Sequence, residues 1–400
     1  MSIIFKEKIH KISEELRLFE DKSFSNIGLL GGATGIAIFH AYYAVFTKNE
    51  EDYDYAYSYI EKLVNSFSSK KGDFAYSYGL AGLGWALNHL IEIDFIDIDI
   101  NDIFGDIDVF LEDRMLLELK NFNYDFFHGG LGVLNYFLVT KTGKELDVIL
   151  EKALSVLEGS SVVHEGYVCW QNYDHKRGIS IKGDFNLGLA HGMPGILSVL
   201  CLAYQKCMTK RTRIMQLVNS ITDFLLYVHD RYRQEASISF FGNSFGEHVS
   251  GAVNSRLGWC YGDLGVALSI YSANQILHQD KLNQLLDKVL LKASVRLDIS
   301  ENRVFDAGLC HGSAGIAHIF NQFFKRTGNE RCRCAADYWY KISLQQGQIK
   351  DGLAGYKSFE GDKGYVNDYG FLCGISGIGL AYISFLTNED KWDRSLLINI

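Results

Sequence analysis

Cys260 and Cys310 each stand two residues before a glycine that opens an apolar run. The stretches read Trp259-Cys260-Tyr261-Gly262-Asp263-Leu264-Gly265 and Leu309-Cys310-His311-Gly312-Ser313-Ala314-Gly315. Two thiols at one offset, with an imidazole beside the second, are the donors of a zinc site assembled from two copies of a motif. Three such ligands leave a tetrahedral ion one open position, as in catalytic rather than structural sites. The expectation is one Zn2+ on Cys260, Cys310 and His311, in an enzyme that acts on thiols.

The motif belongs to a longer repeat. Gly-x-x-Gly followed by an apolar residue begins at Gly32, Gly79, Gly129, Gly192, Gly262, Gly312 and Gly374, with successive first glycines 47 to 70 positions apart. Seven copies at such intervals indicate a repeat architecture, where one copy would mean nothing. Each pair is followed by a helix-like run that is apolar nearly all round, such as Ile196 to Tyr204, and so belongs inside. Each is preceded by a charged, amphipathic segment, such as Asp280 to Leu297 or Asn329 to Gln345, which belongs outside. The fold class is therefore all-α: one domain over residues 1–400, an (α/α)7 toroid of seven helical hairpins. Closure into a ring is needed for distant repeats to share one metal.

The residues before the first glycines read Gly31, Tyr78, His128, His191, Tyr261, His311 and Cys373, which places the polar types on one rim. His128 and Tyr78 read as groove lining, Cys373 as a packed thiol and His318 as core. Cys332 and Cys334 fall on an outer helix. The two longest intervals, Gly159 to Gly188 and Ser237 to Arg256, carry short strand-like runs. They suit either walls of a substrate groove or plain surface loops.

Composition narrows the partners. The net charge is −9, with no basic block, so nucleic acid and anionic membranes are poor partners. No apolar stretch reaches the roughly 18 residues of a membrane span, and the start of the chain carries no signal-like run. The expected location is the cytoplasm, where the eight cysteines stay reduced as thiols or ligands.

At Gly188-Leu189-Ala190-His191-Gly192, Trp259-Cys260-Tyr261-Gly262 and Cys310-His311-Gly312-Ser313-Ala314-Gly315 the chain resembles the lanthionine synthetase C-like family, the lanthipeptide cyclases. That resemblance implies a zinc enzyme that adds peptide cysteines to dehydroalanine or dehydrobutyrine, forming (methyl)lanthionine thioether rings. It places zinc on Cys260, Cys310 and His311, the acid/base histidine at His191 and an aspartate at Asp125. It also places a supporting arginine and tyrosine at Arg256 and Tyr261. Relatives often carry an acidic residue where this chain has Cys373. The implied substrate is a dehydrated precursor peptide; a dehydratase and an exporter are implied partners, which would bring the protein to the membrane periphery.

The chemistry suits these types. A free thiol has a pKa of about 8.5 and is a weak nucleophile at neutral pH until a metal deprotonates it. Addition leaves an enolate that needs a proton, and histidine titrates in the right range. Asp125 would orient His191 or assist thiol deprotonation; Arg256 would hold a carboxylate or the enolate; Tyr261 would hydrogen-bond near the metal. Asp125 equally suits a helix N-cap, and Arg256 an ordinary ion pair. Two other functions fit the same residues: glutathione addition to dehydroamino acids, and a non-catalytic zinc or peptide scaffold. A thiol-alkylating prenyltransferase would need an Asp-Cys-His ligand set, which the motifs do not match.

Overall fold

A helix that is apolar on every side has no face to offer water, so it must be enclosed by others. The computed structural model of the chain, which describes residues 2–67, 73–174, 176–231, 237–246 and 254–398, follows this rule. Its helices are α1 Ser2–Leu18, α2 Glu20–Ser23, α3 Ala33–Thr47, α4 Glu50–Phe67, α5 Leu80–Glu92, α6 Ile100–Lys120, α7 Gly130–Thr140 and α8 Gly143–Gly159. They continue with α9 Met193–Lys206, α10 Arg211–Arg231, α11 Asp263–Leu277, α12 Asp280–Ser294, α13 Ser313–Thr327, α14 Glu330–Gln346 and α15 Ile375–Thr387.

The seven helices α3, α5, α7, α9, α11, α13 and α15 each take a repeat's first glycine as N-cap. In α9 every residue from Met193 to Cys201 is buried. Full burial of a side chain such as Leu197 or Leu200 is worth roughly 1.5–3 kcal/mol, which outweighs the weak capping that glycine provides. The long helix preceding each, which for α3 is α1, is amphipathic. α12, for example, buries Leu282, Leu285, Leu286, Val289 and Leu290 along one stripe and leaves Lys281 and Lys288 exposed. Seven pairs result, each an amphipathic helix followed by a buried one, and the all-α class holds.

The chain divides into two compact units, Met1–Asp102 with Leu297–Ser395, and Ile103–Arg296 with Leu396–Ile400. In the first unit α15 packs on α3, α1 and α13, so the seventh repeat adjoins the first. His318 of α13 is fully buried and bonds Asp393 at 2.9 Å, a core histidine as expected. α14 carries Cys332 buried and Cys334 exposed. In the second unit α9 packs on α7, α10 and α11.

The two long intervals hold strands. β1 Val162–His164, β2 Tyr167–Cys169, β3 Asn172–Asp174, β4 Ile179–Ile181 and β5 Asp184–Asn186 lie in the first; β6 Ser244–Gly246 lies in the second. β5 and β6 pair antiparallel, Asp184 opposite Gly246, which ties the intervals together. Residues 247–253 of the second interval are outside the described residues. Among the described residues, no helix is long and apolar enough to cross a membrane.

Candidate active site at the repeat junctions

The loop before each buried helix is built to one plan. Six residues before the first glycine stand Asn26, Asp73, Asn123, Asn186, Arg256, Asp306 and Asp368. In five repeats that side chain accepts the N–H two residues on: Gly28 at 2.9 Å, Ala75 at 3.0 Å, Gly188 at 2.8 Å, Gly308 at 3.0 Å and Gly370 at 2.7 Å. This is an Asx turn, which short polar side chains close and an arginine cannot. The backbone carbonyl of the same residue commonly accepts the first helical N–H, as when Ser313 N–H donates to Asp306 at 2.9 Å.

Four residues before the first glycine the loop meets the next repeat. A Cβ on Gly28 would lie 2.5 Å from Tyr78 Cα, on Gly188 2.6 Å from Tyr261 Cε1, on Gly308 2.8 Å from the Cys373 carbonyl and on Gly370 2.8 Å from Gly31 Cα. Close approach, not a left-handed backbone, is what requires glycine there. The third repeat breaks the column with Asp125. Where the others leave room for the neighbouring repeat, Asp125 reaches across and bonds it.

Asp125 is 2 % exposed. One carboxylate oxygen accepts the N–H groups of Phe127 and His128 at 2.7 and 2.9 Å, which ties the loop before α7; the helix N-cap itself is Gly129, so Asp125 is not the N-cap that its residue type also suited. The other oxygen lies 2.5 Å from Nδ1 of His191, the residue before the fourth repeat's glycine. One carboxylate thus anchors a loop and orients an imidazole. Paired through Nδ1–H, His191 keeps Nε2 for proton transfer, and 26 % of its side chain remains exposed. Burial opposes the imidazolium, but the charge and hydrogen bond of Asp125, with the charge of Cys260 added, outweigh it and raise the pKa above the ordinary 6.5. The stabilising contribution of the pair is therefore complete below about 6.5 and fades as pH rises through the raised value.

The His191 ring is packed by Phe127 edge-on at 5.5 Å, His128 at 6.4 Å and Tyr261 at 5.7 Å. Tyr261 accepts a 3.3 Å hydrogen bond from Asn186 Nδ2. Asn186 Nδ2 also donates to Asn172, whose own amide donates to Asp184, so β3 and β5 buttress the tyrosine. Cys260 is 6 % exposed, and its carbonyl would lie 2.7 Å from a Cβ on Gly188. Asp125, His191, Tyr261 and Cys260 thus adjoin one another in the second unit. Arg256 is half-buried; among the described residues no hydrogen bond or ion pair to its guanidinium is seen.

The fifth repeat has a second peculiarity. Gly262 has φ +87°, whereas the other six first glycines are extended. A Cβ there would lie 2.5 Å from the Arg256 carbonyl. Gly262→Ala combines an unfavourable backbone, of order 1–3 kcal/mol, with that clash. It should lower the urea midpoint more than Gly143→Ala, where φ is +60° but nothing lies within 4 Å. Equal midpoints for the two variants would show that the close approach carries no cost.

In the first unit Cys310 and His311 open α13. The N–H groups of Leu309 and Cys310 donate to Leu372 at 2.8 and 3.1 Å, Leu372 N–H donates to Leu30, and Leu30 N–H donates to Ser77. Cys310, Leu372, Leu30 and Ser77 hold the same place in their repeats, so backbone bonds align the rim within this unit. Cys310 is buried, His311 half-buried and Cys373 half-buried. Tyr78 is exposed.

The family model for lanthionine synthetase C-like proteins matches residues 23–397. The chain belongs to that family. Nisin biosynthesis protein NisC of Lactococcus lactis subsp. lactis is 23 % identical over 367 residues, covering 85 % of this chain and 81 % of that protein. The solved structure of nisin cyclase has a TM-score of 0.74 at 21 % identity, covering 98 % of this chain and 97 % of that one. The fold is shared along the whole length.

Proposed function

We propose that this protein is a lanthipeptide cyclase: it adds cysteine thiols of a dehydrated precursor peptide to dehydroalanine or dehydrobutyrine, forming thioether rings. The observation that carries the reading is the Asp125–His191 pair packed against Tyr261 in the repeat that bears Cys260. Membership of the family and the resemblance to NisC and nisin cyclase support it. The unbroken family match from 23 to 397 supports a single functional domain.

The ligands of one zinc ion are Cys260, Cys310 and His311. Two buried thiols and a half-buried imidazole are a donor set that suits zinc. Zinc, when bound there, would favour the thiolate form of the substrate cysteine. The substrate thiol gives up its S–H proton to solvent, the resulting thiolate sulfur bonds the β-carbon, the C=C electron pair passes into the enolate, and a proton delivered to the α-carbon restores the carbonyl. His191 delivers that proton from Nε2, since Asp125 holds Nδ1 and its charge raises the imidazole pKa above 6.5. Tyr261, whose Oη accepts from Asn186, packs against the His191 ring and hydrogen-bonds near the metal. Arg256 supplies positive charge for the enolate or a nearby carboxylate. The reaction calls for a dehydratase acting beforehand, and the cytoplasm is the compartment that keeps the thiols reduced.

The test is incubation of the zinc-loaded protein with a dehydrated, cysteine-containing peptide, followed by thiol alkylation and mass spectrometry. Addition is mass-neutral, so the expected result is loss of alkylatable thiols without change of mass. With glutathione present, a gain of the glutathione mass would instead mark an adduct-forming enzyme. Full alkylation throughout would mark a scaffold.

A further inference from the structure

The fifth repeat lacks the Asx residue that ties its loop, and what replaces it is a buried ion pair. Arg256 stands where five repeats close an Asx turn, and Asp263 follows Gly262 where the other repeats have Ala33, Leu80, Gly130, Met193, Ser313 and Ile375. Asp263 is fully buried. Its Oδ1 accepts the N–H groups of Phe240 and Phe241 at 3.0 and 2.9 Å, and its Oδ2 lies 3.4 Å from Nη1 of Arg296. Arg296, 7 % exposed, donates through Nη2 to the Ser255 carbonyl at 2.6 Å. Ser255 N–H in turn donates to Ser239 Oγ at 3.0 Å. Ser255 is thus held at both its N–H and its carbonyl, directly before Arg256.

Burying a carboxylate and a guanidinium carries a large desolvation cost. Replacing a buried ion pair by well-packed apolar residues is often neutral or stabilising, so stability alone does not account for this one. What the pair provides is directed hydrogen bonds on a segment that has lost its own side-chain turn.

We infer that Asp263 and Arg296 are positioning residues that fix the Ser255–Cys260 segment, and with it the Arg256 side chain and the Cys260 thiol. The arrangement frees position 256 for a long cation, because the turn is tied from outside the loop. The catalytic consequence rests on the cyclase reading above; the placement of Cys260 does not.

The test follows alkylation of individual cysteines by iodoacetamide in the full chain as purified, read by peptide mass spectrometry. Cys201, buried in α9 of the same unit, is the internal reference for general loosening. Arg296→Lys keeps the charge but loses the planar fork; Asp263→Asn keeps an acceptor for Phe240 and Phe241 but loses the charge. In both, Cys260 should react roughly tenfold faster or more while Cys201 stays unchanged, and kcat should fall with KM held. Asp393→Asn, which removes a buried acid partnered by His318, should lower thermal stability without raising the Cys260 rate. An unchanged Cys260 rate in both variants, or equal acceleration at Cys201, would overturn the assignment. If wild-type protein makes no thioether yet Cys260 responds as stated, the cyclase reading fails and the positioning role stands.

Discussion

Replacing His191 with asparagine should slow thioether formation by about 10²–10⁴-fold, the usual contribution of a positioned acid or base. Zinc content should stay at the wild-type level, because His191 is outside the proposed ligand set. Asparagine retains a donor toward Asp125, so the loop anchored by the other carboxylate oxygen should survive. Asp125→Asn should act differently. It removes the charge that holds the His191 pKa above 6.5, so the imidazolium is lost at lower pH. If protonated His191 delivers the proton, activity falls as pH rises through its pKa. The basic limb of the pH–rate profile should therefore move to lower pH in Asp125→Asn, while the zinc stoichiometry is retained. A limb that stays in place, or a His191→Asn enzyme that closes rings at the wild-type rate, would remove His191 from the proton-transfer role.

These residues were legible to different degrees, for physical reasons. The helical pairs follow from periodicity, since a segment as uniformly apolar as Ile196 to Tyr204 has only one place to go. Reading the rim from the residue before each glycine located His191, Tyr261 and His311. Asp125 and Arg256 came from family resemblance, yet aligning two further columns exposes both. Asp125 is the charged exception among Gly28, Ala75, Gly188, Gly258, Gly308 and Gly370, and Arg256 is the basic exception in a column otherwise Asn or Asp. Asp263 breaks a third column, but its partner Arg296 lies 33 positions away, in the loop after α12. No local pattern announces that pairing. Nor does spacing disclose that Gly262 has a positive φ while its counterparts are extended.

Losing either thiol of the proposed metal set should have the larger effect. Cys260→Ala and Cys310→Ala each remove one of three protein ligands. Zinc affinity should fall by more than the 10–100-fold that loss of a supporting outer partner costs. After dialysis against a competing chelator, metal analysis should find about one zinc per wild-type chain and close to none in either variant. The fold should tolerate both changes. Each removes one sulfur at a helix entrance, a loss of about 1 kcal/mol, while the backbone bonds that set the rim, such as Cys310 N–H to Leu372, do not involve the side chain. Ring closure should then drop to the uncatalysed rate even though Asp125 and His191 remain paired, because a proton carrier is of no use until a thiolate has attacked. Full zinc retention in both variants, with unchanged melting, would show that these thiols are packing residues and that the metal, if any, is held elsewhere.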